Sequence, residues 1–250
     1  MRVEREQITS GARLAGKIIL IAGASSGMGR ATALACAREG ADVALVARRR
    51  ALLEEIAAEI HALGQRAVVC PADLSDPSAV EDAFSQASGE LGPLDVVIHT
   101  AGTNIRERAL GVLTPAGWEE VLQGNLETAF QVTRAAVPRL RGRGGRIIYV
   151  SSLAVQRPDT SGVAYQAAKH AVVGLAHGAM QEEKANGIRT TVILPGLTDT
   201  PFILKRPVPT PPEVLAKALR PEDVAAACVF VAALPLRVHV PELPLVPAEL

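Results

Sequence analysis

The sequence predicts an α/β protein in which helices cover both faces of a doubly wound parallel sheet. The first observation is a regular alternation of short, β-branched apolar runs with longer segments of helical periodicity. The second is a glycine-rich turn at residues 23–29, directly after the first apolar run. The third is the length, because 250 residues suffice for one substantial core. We therefore expect a single domain at residues 14–250, preceded by a loose leader at residues 1–13.

The predicted strands and helices follow one another along the whole chain. Strands are predicted at residues 17–22, 42–47, 67–70, 95–98, 146–150, 189–194 and 240–246. Helices are predicted at residues 30–39, 51–63, 77–91, 163–186 and 221–234, and residues 115–140 are predicted to form one long helix or a kinked pair. The strands are continuous apolar runs, as is typical of strands buried on both faces. The proline-rich stretch at 202–212 is predicted to be an irregular, mobile loop.

Composition excludes several classes of protein. Lys plus Arg and Asp plus Glu number 26 each, so nothing indicates a partner such as a nucleic acid. The N-terminus lacks the apolar region of a signal peptide, and no uncharged apolar stretch reaches the length of a membrane span. We expect a cytoplasmic protein that does not associate with membranes.

The cysteines and histidines do not have the spacing of a metal site. Cys36, Cys70 and Cys228 lie in apolar segments and form no CxxC pair, which is typical of buried thiols in a reducing compartment. His99, His170 and His177 form no ligand set either. We expect no metal ion.

The glycine-rich turn separates a predicted strand from a predicted helix. Gly23 would permit a tight turn, and Gly27 and Gly29 would let the backbone approach a pyrophosphate and the strand. Free amides at the start of the helix would then face the anion. A purely structural turn is the alternative, but the position between strand and helix favours a nucleotide site. This arrangement makes the predicted sheet Rossmann-like.

Two arginines follow the second strand, where a dinucleotide places its adenosine ribose. Arg48 and Arg49 could pair with a 2′-phosphate, which favours NADP(H) over NAD(H). The alternative is an exposed helix start, which we expect for Arg50. Asp73, at the end of the third strand, could bond an adenine amino group, whereas Ser75 or Asp76 is expected to cap the next helix.

A candidate proton-transfer pair lies on the helix predicted from residue 163. Tyr165 and Lys169 have the i, i+4 spacing that places two side chains on one helix face. A neighbouring ammonium would lower the pKa of the tyrosine and make it a proton donor and acceptor. Ser152 follows the fifth strand. Asn125 lies inside a predicted helix, where such a residue is usually a tolerated polar side chain but can distort the helix and hold a water molecule.

Taken in order, these motifs resemble the short-chain dehydrogenase/reductase family over residues 14–247. Residues 23–29 resemble its glycine motif, Ala101-Gly102 the end of its Asn-Asn-Ala-Gly motif, and residues 195–200 its nicotinamide motif. Asn125, Ser152, Tyr165 and Lys169 match its catalytic tetrad. Ala22 and His99-Thr100 depart from the usual residues. The C-terminal sequence resembles a branch of NADP-dependent reductases of small alcohols and carbonyls.

The resemblance implies hydride transfer between NADP(H) and a small alcohol or carbonyl. Tyr165 would act as general acid and base, and Ser152 would bond the substrate oxygen. Lys169 would lower the pKa of Tyr165 and bind the nicotinamide ribose. Asn125 would hold a water molecule. The residues expected to bind cofactor are Gly23, Ser25, Ser26, Gly27, Met28, Gly29, Arg48, Arg49, Asp73, Leu74, Ala101, Gly102, Tyr165, Lys169, Pro195, Gly196, Thr198 and Thr200. The resemblance also implies a homodimer or homotetramer formed through the helices at 118–140 and 163–186.

Two alternatives stay open at this point. The chain could be a nucleotide-binding sensor or scaffold with little turnover, or it could prefer NAD(H) despite Arg48. The sequence identifies neither the substrate nor the direction of the reaction. We expect specificity to depend on residues 103–114, 153–162 and 202–219, because such loops vary freely on one scaffold.

Overall fold

The computed structural model describes residues 12–250. Its centre is one seven-stranded sheet in the order β3-β2-β1-β4-β5-β6-β7, and every neighbouring pair is parallel. The strands are β1 (Ile18–Ala22), β2 (Asp42–Ala47), β3 (Ala67–Pro71), β4 (Val96–His99), β5 (Gly145–Val150), β6 (Ile188–Pro195) and β7 (Glu242–Leu245). The strand order reverses between β1 and β4, so the predicted doubly wound parallel sheet is confirmed.

Helices cover both faces of this sheet. They are α1 (Gly27–Arg38), α2 (Arg50–Ala62), α3 (Pro77–Leu91), α4 (Pro115–Leu122), α5 (Thr128–Leu140), α6 (Val163–Glu183), α7 (Pro212–Leu215) and α8 (Pro221–Ala233). One core cluster joins the sheet to α1, α2 and α8, and a second joins its other face to α3, α5 and α6. Asp76 caps α3 by accepting from the amides of Ser78 and Ala79, as predicted. All three cysteines are buried and unpaired.

Residues 115–140, predicted as one long helix or a kinked pair, form the two helices α4 and α5, separated by a π-helical turn, Gln123–Glu127. The stretch expected to be irregular contains a 3-10 helix, Pro201–Lys205, and the short α7. Residues 1–11 of the predicted leader lie outside the described residues, whereas Arg13 is held by an ion pair with Glu39 at 2.6 Å.

Within the described part of the chain, no helix is both long and apolar enough to cross a membrane.

Arg146 is a charged residue whose side chain is buried, on the inner strand β5. It is only 2% exposed. Its Nη2 atom donates to the carbonyl oxygens of Leu234, Pro235 and Val238 at 2.9, 2.7 and 3.0 Å. These carbonyls belong to the end of α8 and the turn after it, so Arg146 fastens this turn to the sheet. Burial lowers the pKa of its guanidinium, with the nearby Arg189 acting in the same direction.

Replacing Arg146 with methionine is expected to lower the free energy of unfolding by about 3 kcal/mol. Methionine retains much of the volume but leaves the carbonyl oxygens of Leu234 and Val238 without this donor, and buried unpaired polar groups are costly. Urea denaturation measures the change. Arg143→Met, at an exposed turn residue, is the control and should change stability by less than about 0.5 kcal/mol. Equal effects of the two substitutions would contradict this role of Arg146.

Candidate active site

The glycine-rich turn lies between the carboxyl end of β1 and the start of α1. A Cβ atom at Gly23 would come within 2.6 Å of the amide nitrogen of Ala101, and one at Gly29 within 2.6 Å of Thr100 Oγ1. Gly23 also has φ of +94°, which side chains disfavour. The N-cap residue Ser26 makes no side-chain capping bond to α1. The first amides of α1 are therefore available to an anion, as a dinucleotide site requires.

Two residues that depart from the family pattern, Thr100 and His99, lie at the end of β4. Thr100 Oγ1 donates to the carbonyl oxygen of Ala22 at 2.9 Å, so a hydroxyl after β4 ties the ends of β1 and β4 together. The other departure, His99, is fully buried with Nε2 3.1 Å from Thr128 Oγ1. Burial, and to a smaller extent the charge of Lys169, lower the pKa of His99 to about 3. His99 is therefore neutral at physiological pH.

Arginines and an aspartate lie at the far end of the same cleft. Arg49 Nη2 donates to Ser25 Oγ at 2.8 Å and Ser26 Oγ at 3.0 Å, which places its guanidinium over the glycine-rich turn. Asp73 Oδ1 accepts from the amide and the hydroxyl of Ser75. These two bonds, and more weakly the charge of Arg48, lower the pKa of Asp73 against the opposing effect of burial. No carboxylate ends β2, where Ala47 stands.

The glycine-rich turn, both arginines and Asp73 line one cleft of about 470 Å³, which we call the cofactor cleft. The predicted cofactor residues that line it are Gly23, Ser25, Ser26, Gly27, Met28, Gly29, Arg48, Arg49, Asp73, Leu74, Ala101, Gly102 and Thr200. The close backbone approach at the glycines, the uncapped start of α1 and the basic end fit a phosphorylated dinucleotide. Its phosphates would lie against α1 and its adenosine near Arg48, Arg49 and Asp73.

Tyr165 and Lys169 lie on the buried side of α6, as their spacing predicts. Tyr165 is 9% exposed and Lys169 is 4% exposed. Lys169 Nζ lies 5.7 Å from the centre of the Tyr165 ring and donates to the carbonyl oxygen of Val150 at 3.2 Å. The side chain of Lys169 thus links α6 to the end of β5.

The expected fall in the pKa of Tyr165 is wrong for this structure. Burial raises the pKa of Tyr165 to about 12, and a hydrogen-bonding interaction with Ser152 opposes the rise. The charge of Asp159 adds to the rise in the tyrosine pKa, and the charge of Arg108 opposes it. Burial instead lowers the pKa of Lys169 itself to about 8. Desolvation therefore outweighs the charge effect that the i, i+4 spacing indicated.

Ser152 lies at the carboxyl end of β5 and begins a short 3-10 helix, Leu153–Val155. Its Oγ atom accepts a hydrogen bond from the amide of Ala154 at 3.2 Å. Because the amide uses an acceptor site, the hydroxyl hydrogen is left to be donated. This orientation suits a group that bonds a substrate oxygen.

Asn125 lies in the π-helical turn and is fully buried. Its Nδ2 atom donates to the carbonyl oxygens of Val121 and Thr103 at 2.7 and 2.8 Å, and its Oδ1 accepts from the amide of Thr103 at 3.3 Å. The side chain thus holds the loop after β4 in place. A Cβ atom at Gly102 would lie 2.9 Å from Asn125 Oδ1 and 3.3 Å from Lys169 Nζ. The absence of a side chain at Gly102 therefore allows both groups to lie close to the loop.

The turn after β6 forms another wall. The Gly196 amide donates to the carbonyl oxygen of Leu245, and Thr198 Oγ1 donates to that of Gly196, at 2.8 and 3.0 Å. Opposite this turn, Lys205 Nζ donates to Thr103 Oγ1 at 2.6 Å and connects the Pro201–Lys205 helix to the loop after β4. Two loops on either side of the cofactor cleft are thereby joined.

A second cleft of about 500 Å³, which we call the substrate cavity, opens beside Tyr165. The predicted residues that line it are Ser152, Tyr165, Lys169, Pro195, Gly196, Thr198 and Thr200. The two clefts share five lining residues, Met28, Thr100, Gly102, Thr200 and Phe202, so they adjoin, and the Phe202 ring lies 5.8 Å, centre to centre, from that of Tyr165. Of all the predicted site residues, Asn125 alone lines neither cleft.

Sequence reasoning missed the roles of Thr100 and Arg108. Thr100 packs on the glycine-rich turn, and Arg108 is buried in the substrate cavity close enough to affect the pKa of Tyr165. An arginine in a polar loop carries no local signal of burial. No three His, Cys, Asp or Glu side chains within residues 12–250 lie close enough together to hold a metal ion.

The sheet, the glycine-rich turn and the Ser152–Tyr165–Lys169 cluster define the class of dinucleotide-binding oxidoreductases. A family model described as short chain dehydrogenase matches residues 17–207, and the chain belongs to this family.

Known relatives agree with this assignment. Mouse dehydrogenase/reductase SDR family member 11 is 33% identical and covers 93% of this chain and 95% of its own. A 3beta-hydroxysteroid dehydrogenase of Mediterraneibacter gnavus is 35% identical over 74% of this chain and 67% of its own. An alcohol dehydrogenase structure from Thermococcus sibiricus, complexed with 5-hydroxy-NADP, superposes with a TM-score of 0.85 at 30% identity, covering 94% of this chain and 97% of its own. Carveol dehydrogenase from Mycobacterium avium in complex with NAD gives a TM-score of 0.88 at 26% identity, covering 94% of this chain and 98% of its own.

Proposed function

We propose that this protein transfers a hydride between NADP(H) and a small alcohol or carbonyl compound, with Tyr165 as the general acid and base. The observation that carries the proposal is that the cofactor cleft adjoins the substrate cavity, and that Ser152, Tyr165 and Lys169 all line this cavity. A buried phenol, a serine hydroxyl with a hydrogen to donate and a buried ammonium therefore face one space. This is the arrangement needed to move a proton on and off a substrate oxygen.

A bound nicotinamide would supply or accept the hydride, and the chain's own residues would handle the proton. In carbonyl reduction, Tyr165 gives its phenolic proton to the substrate oxygen as the carbonyl carbon gains the hydride. Ser152 donates a hydrogen bond to the same oxygen and stabilises its developing charge. In alcohol oxidation the tyrosine takes the proton back. A tyrosine pKa of about 12 keeps the phenol protonated at neutral pH, which is the form that reduction requires.

The proposed roles of the other two residues differ in kind. We propose that the Lys169 ammonium, whose Nζ atom lies 5.7 Å from the centre of the Tyr165 ring, binds the nicotinamide ribose and stabilises the phenolate. The side chain of Asn125 is hydrogen-bonded to the backbone of Thr103. We therefore propose that Asn125 positions the loop after β4. The bound water molecule that the family resemblance implies stays a prediction.

The direct test of the function is the oxidation of NADPH, followed by its absorbance, in the presence of a panel of small aldehydes and ketones. Turnover of at least one compound is expected. Tight binding of NADPH with no turnover on a broad panel of carbonyls and alcohols would contradict the proposal and favour the sensor or scaffold alternative. The expected homo-oligomer and the cytoplasmic location both stay predictions.

Substitutions in the run Arg48-Arg49-Arg50 test the preference for NADP(H). Arg48→Ala and Arg49→Ala are each expected to weaken NADP+ binding by roughly tenfold or more, because a charge-assisted bond to the 2′-phosphate is lost. The affinity for NAD+, which lacks this phosphate, should change much less. Isothermal titration calorimetry with both cofactors measures the difference.

Arg50 supplies the matched control for that experiment. It begins α2, lies outside the cofactor cleft, and its side chain is 63% exposed and 3.6 Å from Glu54. Arg50→Ala removes the same charge and should leave both affinities unchanged. If wild-type protein bound NAD+ and NADP+ equally well, the pairing of arginine with phosphate would be refuted.

A further inference from the structure

The substrate cavity has an unusual distribution of charge for a site that accepts neutral alcohols. Three arginines line it, Arg108, Arg157 and Arg206, together with Lys169. The one acidic side chain that lines it is Asp159. The remaining wall is largely apolar and includes Leu153, Leu197, Phe202 and Ile203. The cavity therefore combines an apolar interior with an excess of positive charge.

Arg108 is the most informative of these residues because it is buried without a partner. It is 9% exposed, and its Nε atom has no hydrogen-bond partner. Across residues 12–250, no carboxylate lies within salt-bridge distance of Arg108, and its guanidinium donates no hydrogen bond. An unpaired guanidinium that lines a cavity is available to an anionic ligand.

The charged groups near Arg108 do not neutralise its positive charge. Burial lowers the pKa of its guanidinium, and the nearby Arg206 acts in the same direction. The charges of Asp159 and Tyr165 act in the opposite direction. Asp159 is exposed, and its Oδ1 atom is engaged in accepting from the amide of Ser161 at 2.8 Å. An external anion would therefore meet more positive than negative charge here.

The chain is shaped to hold Arg108 in this position. Gly162 has φ of +97°, and a Cβ atom there would come within 2.8 Å of the Arg108 carbonyl oxygen and 2.9 Å of its Cβ. Asn104 Nδ2 donates to the carbonyl oxygen of Ser161 at 2.9 Å and so ties the two loops together. The loop that precedes α6, and therefore Tyr165, is thus fixed directly against Arg108. The arginine and the candidate proton donor are held in one rigid arrangement.

We propose that the substrate carries a carboxylate in addition to its reacting alcohol or carbonyl group, and that Arg108 binds this carboxylate with support from Arg206 and Arg157. A guanidinium binds a carboxylate through two parallel hydrogen bonds, which also orients the ligand. The apolar wall would contact the carbon chain between the two groups. The substrate class is therefore oxo acids and the corresponding hydroxy acids, and this assignment rests on the proposed function.

The first arm of the test compares straight-chain oxo acids of five to eight carbons with their methyl esters. In the wild-type protein, kcat/KM with NADPH should be at least about tenfold higher for the best acid than for its ester, as expected for a charge-assisted bond. Arg108→Gln should reduce this ratio to near one, and Arg108→Lys should give an intermediate value. Each acid and its ester share the same proton transfer, so their ratio cancels any effect of Arg108 on the pKa of Tyr165.

Arg143→Gln is the matched control. Arg143 is exposed in the turn before β5, at the amino-terminal ends of the strands and away from the substrate cavity. It should leave the ratio of acid to ester unchanged. Esters used as efficiently as acids by the wild-type protein would overturn the proposal. A ratio that persists in Arg108→Gln would overturn it too.

The second arm measures binding without turnover. Calorimetry with hexanoate and hexanamide should show tighter binding of the carboxylate to the wild-type protein, and Arg108→Gln should abolish this difference. If no carbonyl compound is reduced but hexanoate binding depends on Arg108, the proposed function fails and the carboxylate site stands. If neutral carbonyls are reduced and hexanoate binds no better than hexanamide, the function stands and the carboxylate site is overturned.

Discussion

Replacing Tyr165 with phenylalanine is expected to lower the turnover of carbonyl substrates by roughly 10²- to 10⁴-fold, the usual contribution of a positioned general acid or base. The substitution removes only the hydroxyl group and leaves the ring that packs 5.8 Å, centre to centre, from Phe202. The cleft for the cofactor should therefore keep its shape. Steady-state kinetics give the loss in kcat, and fluorescence titration with NADPH checks that the cofactor still binds.

Tyr149 provides the matched control, since it is the other of the two tyrosines in the chain. It is fully buried in β5 and its hydroxyl lies 2.7 Å from Thr133 Oγ1, outside both clefts. Tyr149→Phe should lower the free energy of unfolding by about 1 kcal/mol through the lost hydrogen bond and should leave turnover unchanged. Retention of wild-type turnover by Tyr165→Phe would refute the proposed mechanism.

Replacing Gly29 with alanine is expected to weaken cofactor binding by at least about tenfold. Alanine is intrinsically the better helix former, by about 1 kcal/mol, so propensity alone predicts a gain in stability. The added Cβ, however, would overlap the carbonyl oxygen of Gly23 and come within 2.6 Å of Thr100 Oγ1. Backbone atoms cannot move away without opening the turn, so the collision should outweigh the gain. Calorimetric titration with NADPH measures the effect.

Gly89→Ala separates the collision from helix propensity. Gly89 is an exposed residue within α3, and a Cβ atom there would meet no other atom within 4 Å. This substitution should raise the free energy of unfolding by roughly 0.5–1 kcal/mol and leave cofactor affinity unchanged. The account of the glycine-rich turn would be wrong if Gly29→Ala bound NADPH as tightly as the wild-type protein.

Local sequence patterns predicted the elements well because each pattern has a local physical cause. The run at 42–47 forms β2 with the predicted bounds, and the Asp76-Pro77 signal marks the start of α3. Apolar runs without alternation become strands covered on both faces. A capping side chain and a proline fix a helix start through their own bonds and φ angle. Such signals need no knowledge of distant contacts.

Interruptions of regular structure were harder to predict. The helical pattern of residues 115–140 allowed one long helix or a kinked pair but did not locate the break, which is a π-helical turn where Asn125 bonds to the loop after β4. The stretch after Thr200 is rich in proline, yet part of it is a 3-10 helix tied to Thr103 by Lys205. In both cases the partner is more than twenty residues away in sequence. Contacts of this kind depend on the fold.

The electrostatics of the site also depended on the fold. The spacing of Tyr165 and Lys169 indicates proximity, and proximity alone predicts a lower tyrosine pKa. The structure adds burial, which raises the pKa of Tyr165 to about 12 and lowers that of Lys169 to about 8. Desolvation is a property of the whole environment, so no pair of positions in the sequence reveals it.

The sequence by itself determined the family, the order of the strands and helices along the chain, and the grouping of Ser152 and Lys169 with Tyr165. Those features depend on periodicity and on motifs at the ends of neighbouring parallel strands, which must meet at one edge of the sheet. Only the tertiary structure decided that Thr100 bonds to Ala22 and so links the ends of β4 and β1, and that Arg108 is buried unpaired beside Tyr165. Burial and the lack of a partner are set by everything that surrounds a side chain, and so they exist only once the chain has folded.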